Sequence, residues 1–219
     1  MKSMSLSKLG GICLCSGAVL LTIPFTLQIA LGGTPEEGTY IWQYFANEIL
    51  TGGALSLLYP MLSVMGIAFL IFGIYTLNGL LQEEQTDSLM SLGTVLTIVG
   101  SIGYMIVWCL DYNIIWGDSA NAPNVMTMEM GFVFLFGIVN WSGIQCLASA
   151  LVGRAYVNTT LLKVVSVFAG LHVVNHIYTV FSLDPYSTAS IMPFFIGMSL
   201  GQLVLLAFNV TLGMQMMKE

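Results

Sequence analysis

Charge is what this sequence has least of. Of its 219 residues only 7% are Asp, Glu, Lys or Arg; five are Lys or Arg, and two are His. A soluble domain carries roughly 25% charged residues, because its surface must meet water. A chain this poor in charge, with 57% hydrophobic residues, must turn its outer surface to lipid. Five basic residues and a net charge of -6 also exclude the basic patch that nucleic-acid binding needs. Cysteine is scarce as well. Cys13, Cys15, Cys109 and Cys146 all lie in apolar runs, which excludes an extracellular disulfide framework. Cys13 and Cys15 make neither a CxxC redox pair nor half a zinc site, and all four read as small buried hydrophobes.

What the chain does have is long apolar runs. A helix needs about 20 apolar residues to cross the hydrocarbon of a bilayer, and only a helix satisfies its own backbone there. Six segments qualify: about 9–31, 54–81, 88–110, 128–152, 163–182 and 191–216. The fold class expected is an all-α, six-transmembrane-helix bundle, forming one polytopic domain over 1–219. The first run follows Lys2 and Lys8 as a secretory signal would. It exceeds the roughly 7–15 residues of a signal core and no A-x-A pattern follows, so it is expected to remain as the first helix.

Orientation follows from the basic residues. With an even number of spans, Lys2, Lys8, Arg154, Lys163 and Lys218 all fall on one side, which the positive-inside rule makes cytoplasmic. Both termini are then cytoplasmic and the chain is a multi-pass protein of the plasma (inner) membrane. Glu36, Glu37, Glu48, Asp111, Asp118, Glu129 and Asp184 fall toward the outer side. They read either as solvated loop carboxylates or as an acidic vestibule that concentrates cations.

Two outer connections are long. In the first, Ile41, Phe45 and Ile49 repeat every four residues, which predicts an amphipathic helix over 40–50 lying among headgroups. The second, Asp111 to Asn124, holds Tyr112 and Trp116 and reads as an aromatic belt. Pro24 and Pro60 fall inside spans and favour bends. Gly197 and Gly201 form a GxxxG spacing that allows close helix approach. The two halves of the chain do not align as repeats. Asn158 and Asn209 head sequon-like runs, but on the cytoplasmic side or within the bilayer, where neither is glycosylated.

One constellation invites chemistry, because ionisable groups within the hydrocarbon are costly. The only histidines, His172 and His176, are four apart on the fifth span and share a face. His172 lies about 13 Å from Lys163, near the midplane. Asn175 and Thr179 fall on the same face. On the fourth span Glu129 and Asn140 are close to three full turns apart and share another face. Gln202 and Asn209 share one on the sixth. Together these groups are expected to line a polar cavity open to the outside.

Three readings of the constellation stand. Polar groups at the midplane fit permeation or transport of a small solute or cation. His172 and His176, with Glu129 as third ligand, are a candidate zinc or copper site. Or the groups only hydrogen-bond across helices. Haem is disfavoured, because bis-histidine ligation draws on two helices and only one span carries histidine. Ser142, two residues beyond Asn140, points away from the fifth span and makes no Ser–His pair with His172. No cofactor motif stands out and the chain leans away from enzymes. Besides the lipid bilayer, its partners are expected to be other membrane subunits or further copies of itself, so a non-catalytic role in a larger assembly remains the alternative to transport.

Overall fold

In the computed structural model, which describes residues 4–218, the apolar runs are helices. They are α1 (Leu6–Gly32), α2 (Ile41–Thr51), α3 (Ala54–Glu84), α4 (Ser88–Trp116), α5 (Ala122–Arg154), α6 (Thr159–Ser182) and α7 (Thr188–Met216), with a 3₁₀ turn at Ser119–Asn121 before α5. All but α2 are long and apolar enough to cross a membrane, making six candidate spans among the described residues. Lys2, one of the residues used for orientation, lies outside the described residues.

The long helices form a ring in chain order. α1 packs on α3, α3 on α4, α4 on α5, α5 on α6 and α6 on α7, which closes back onto α1. Sequential antiparallel neighbours follow from the short connections. Small residues let the backbones approach. A Cβ on Gly17 of α1 would lie 2.6 Å from the Gly66 carbonyl of α3, and one on Gly11 would lie 2.5 Å from the Gly213 carbonyl of α7. Between α4 and α5, a Cβ on Gly143 would strike the Thr97 backbone.

The end of the ring that holds the chain termini is closed. Leu77, Met90, Leu151, Leu162 and Leu212 are fully buried there in one apolar cluster. The Asp87 side chain accepts from the Leu89 and Met90 N–H groups and caps α4, and Asn158 caps α6 in the same way. Arg154, at the end of α5, donates to the Leu81 carbonyl at 2.7 Å and the Gln85 carbonyl at 2.5 Å. It also pairs with Asp87 at 3.7 Å. The Leu81 carbonyl also accepts from the Gln85 N–H, so the cation adds a second donor there, supplies one to Gln85 and meets the negative end of the helix dipole.

At the opposite end two expectations need correction. The helix over 40–50 does not lie free beside the bundle. Ile41, Trp42, Ala46 and Ile49 of α2 are buried in a cluster with Ile114 of α4, Met126 of α5 and Phe194 of α7. The apolar face that seemed suited to headgroups is used to cover the ring. The expected loop from Asp111 to Asn124 is also mostly helix. Val107, Leu110, Asp111 and Ile114 are all buried at helical spacing, so α4 continues to Trp116, and Pro123 sits in the first turn of α5, where a missing N–H costs nothing. Tyr112 and Trp116 are therefore one turn apart on a helix, their rings stacked at 4.7 Å.

Candidate functional site

Between the packed termini end and the α2 cap the ring is hollow. A cavity of about 730 Å³ is lined by α1, α2, α3, α4, α5 and α7, while no α6 residue reaches it. Ligand pockets typically enclose roughly 300–1,000 Å³. It opens near the α2 end of the bundle, where Ile29 and Leu31 of α1, Gly33 and Thr34 after it, Thr51 and Gly52 at the end of α2 and Leu55 of α3 line it and are exposed. The glycine contact of α1 with α3 at Gly17 and Gly66 lies toward the termini end. About two turns beyond that contact, Pro24 and Pro60 each remove one backbone hydrogen bond and favour bending.

The wall contributed by α4 is a polar and aromatic stripe. Thr97, Ser101, Tyr104, Trp108 and Asp111 all line the cavity. Their spacing of alternating four and three residues keeps them on one helix face. On the facing wall of α5 lie Glu129 and Asn140. Asn140 is satisfied: its Nδ2 donates at 3.1 Å to the Thr97 carbonyl and at 3.1 Å to the Ser101 hydroxyl. Asn209 donates to the Leu205 carbonyl of its own helix at 2.9 Å.

Asp111 and Glu129 are another matter. Only 2% and 8% of their surfaces are exposed, and their carboxyls lie side by side within hydrogen-bond reach. Every described Lys and Arg, namely Lys8, Arg154, Lys163 and Lys218, belongs to the other end of the bundle. Two unit charges 4 Å apart repel by about 4 kcal/mol even at an effective dielectric constant of 20. Two carboxyls hydrogen-bond only when one keeps its proton, so the pair shares at least one. Asp111 Oδ1 and Glu129 Oε2 have no further partner. Neither do the Tyr59 and Tyr104 hydroxyls, Thr97 Oγ1 and Gln202 Oε1, which line the same cavity. Buried polar atoms are nearly always paired. Here several unpaired ones belong to residues that line a hollow, which has room for water or a ligand.

At the mouth, burial first and the neighbouring Glu48 second push the Tyr44 phenol up. It stays protonated and donates to the Gly32 carbonyl at 2.7 Å, tying α2 to the end of α1.

The expected constellation is divided by this arrangement. Glu129, Asn140, Gln202 and Asn209 line the cavity; His172, His176, Asn175 and Thr179 do not. The histidines sit behind its wall, between α5, α6 and α7. His172 stacks on Trp141 with ring centroids 4.2 Å apart and planes 14° apart. His176 presses on Gly137 and meets Phe194 edge-on at 5.0 Å, and its Nδ1 bonds the His172 carbonyl at 2.8 Å. Thr179 donates back to the Asn175 carbonyl at 2.8 Å. Gly197 and Gly201 make room for side chains rather than for a helix backbone, since Cβ atoms there would meet Asn175, and Trp141 and His172, at 2.8–2.9 Å. Among the described residues no three His, Cys, Asp or Glu side chains are grouped to hold a metal ion. The expected ligand set is not assembled, because Glu129 faces Asp111 across the α4–α5 contact.

Asp111 is the residue that sequence reasoning misplaced. Read as the end of a span, it looked like a loop carboxylate; the signal that identifies it is the stripe continuing from Thr97 through Tyr104.

Fold and site together define a polytopic, all-helical bundle with an internal cavity. No family model, curated protein or solved structure matches the chain.

Proposed function

We propose that this protein is a carrier of the cell membrane that takes a small, largely apolar molecule bearing a polar group into its central cavity. One observation carries the reading: Tyr59, Asp111, Glu129 and Gln202 line the hollow of an otherwise apolar bundle, and each has a buried polar atom without a hydrogen-bond partner. Polar groups so placed are costly in lipid and are commonly retained for function. A structural role, in which polar groups only cross-link helices, would leave Tyr59 and Gln202 bonded across helices as Asn140 is.

The exposed apolar residues Ile29, Leu31 and Leu55 at the opening support entry of an apolar molecule from the bilayer, and the basic residues at the termini end support a cytoplasmic position for that end. The cavity then belongs to the outer half of the membrane. The packed cluster of Leu77, Leu151 and Leu212 separates it from the cytoplasm, as an outward-facing state of a carrier requires.

The test is chemical access. In a background with the four native cysteines replaced by serine, a cysteine at Gln202 is expected to react with a small membrane-permeant thiol reagent at least tenfold faster than one at Leu212. Equal rates would overturn the reading. A tag after Lys218 accessible only from outside intact cells would overturn the orientation.

A further inference from the structure

We propose that the Asp111–Glu129 pair is the binding point for the charged end of a hydrophobic monovalent organic cation, which displaces a proton from the pair as it enters. The proposal rests on the carrier reading above and names its ligand class. Four features of the cavity select that class.

The first is charge. Glu48, Asp111 and Glu129 line the cavity and no Lys or Arg does, so an anion would meet only repulsion. The second is the wall. Phe45, Tyr104, Trp108 and Phe195 bring aromatic faces to the same hollow, and such faces attract cations as well as apolar bodies. The third is ligand number. Small metal cations take six or more oxygens, or at least three protein ligands, and no such group exists among the described residues. Two carboxyls that share a proton offer one negative charge, matched to one positive charge. The fourth is the unpaired Tyr59. It is 7% exposed, lines the cavity and has a hydroxyl without a partner. The Tyr112 hydroxyl donates to the Leu57 carbonyl at 3.0 Å. That contact joins α4 to α3 one residue from Asp111 and two from Tyr59.

With the cavity empty the pair has no counter-charge, and keeping its protons keeps charge out of the apolar interior. A cation supplies that counter-charge. One carboxylic O–H gives its proton to water on the α2 side, the carboxylate formed takes the cation, and the other carboxyl donates its hydrogen bond to that carboxylate. Charge in the cavity is conserved. The titratable groups around the pair are Tyr104 and Tyr112 on α4, Tyr59 on α3 and Glu48 on α2. His176 on α6 lies behind Gly137 and Phe194, and α1 and α7 bring none to the lining.

The experiment uses the full chain in lipid nanodiscs, with empty nanodiscs subtracted. Tetraphenylphosphonium is titrated calorimetrically in two buffers of different protonation enthalpy, and neutral triphenylphosphine oxide serves as the uncharged control. Saturable binding of the cation with about one proton released per cation is expected. The Asp111→Asn and Glu129→Gln variants should each bind the cation at least about tenfold more weakly. Cation binding without proton release overturns the proposal, as does equal binding by the variants or binding of the oxide as tightly as the cation; each leaves the carrier reading standing. If neither probe binds although a cysteine at Gln202 reacts, the ligand class is wrong. If that cysteine is also unreactive, the carrier reading itself falls. Should both variants fail to fold, the proton count on the unaltered protein still decides.

Discussion

The two ends of the bundle solve the same problem differently. Near the termini, leucines fill the ring, glycines bring backbones into contact, and the half-buried Arg154 donates to the Leu81 and Gln85 carbonyls at the end of α3. Near α2 the ring is wider, aromatic side chains line it, and polar atoms remain without partners. The first end holds the helices together. The second gives up packing to hold a hollow, a loss that the packed end must offset. Stability and function are in this way divided along the length of the same helices.

That division can be broken by substitution, and the packed end should respond most. Gly11→Leu forces a side chain into the Gly213 backbone; overpacking against unyielding backbone should cost on the order of 3 kcal/mol or more, read as loss of the monodisperse species in mild detergent. Arg154→Ala removes two charge-assisted hydrogen bonds, for about 2 kcal/mol, read as a lower midpoint of thermal unfolding. Filling the hollow should do the reverse. Val133→Phe places a ring where a cavity wall now stands, and is expected to abolish binding of a cavity probe while stability changes by about 1 kcal/mol or less. If the filled variant instead unfolds like Gly11→Leu, the two ends are not distinct.

A second contrast, between the carboxyl pair and the histidine pair, yields the smallest effect. Both are buried and unusual in a membrane span, yet only the carboxyls face the cavity. His172→Phe keeps a flat ring against Trp141 and should leave probe binding unchanged, with a stability change of about 1 kcal/mol or less. Stoichiometric zinc or copper in the purified protein, lost in this variant, would restore the histidines to a functional role.

The contrast also explains what could be read in advance. Apolar length announces a span, because a bilayer allows almost no other structure; the six helices were legible for that reason. The ends were less legible. α4 outran its expected limit by six residues, from Leu110 to Trp116, since a carboxylate at Asp111 looks like a span terminus until a partner for it is known. Glu129, Asn140, Gln202 and Asn209 were found because polar residues stand out against apolar neighbours. Which of the polar residues face one another was not legible. The azimuth of a helix in its bundle is set by neighbours it meets only after folding, and α6 turns its histidine face onto Trp141 and Gly137 rather than inward.

By itself, then, the sequence determined that this chain is a set of six membrane-length helices with its basic residues gathered at one end, because hydropathy and charge act locally and need no knowledge of the fold. Only the tertiary structure decided that α2 covers the ring, that Asp111 meets Glu129, and that the histidines lie behind the wall. Those outcomes depend on side-chain pairs 18 or more residues apart in sequence, and no local pattern records which of the available faces will be brought together.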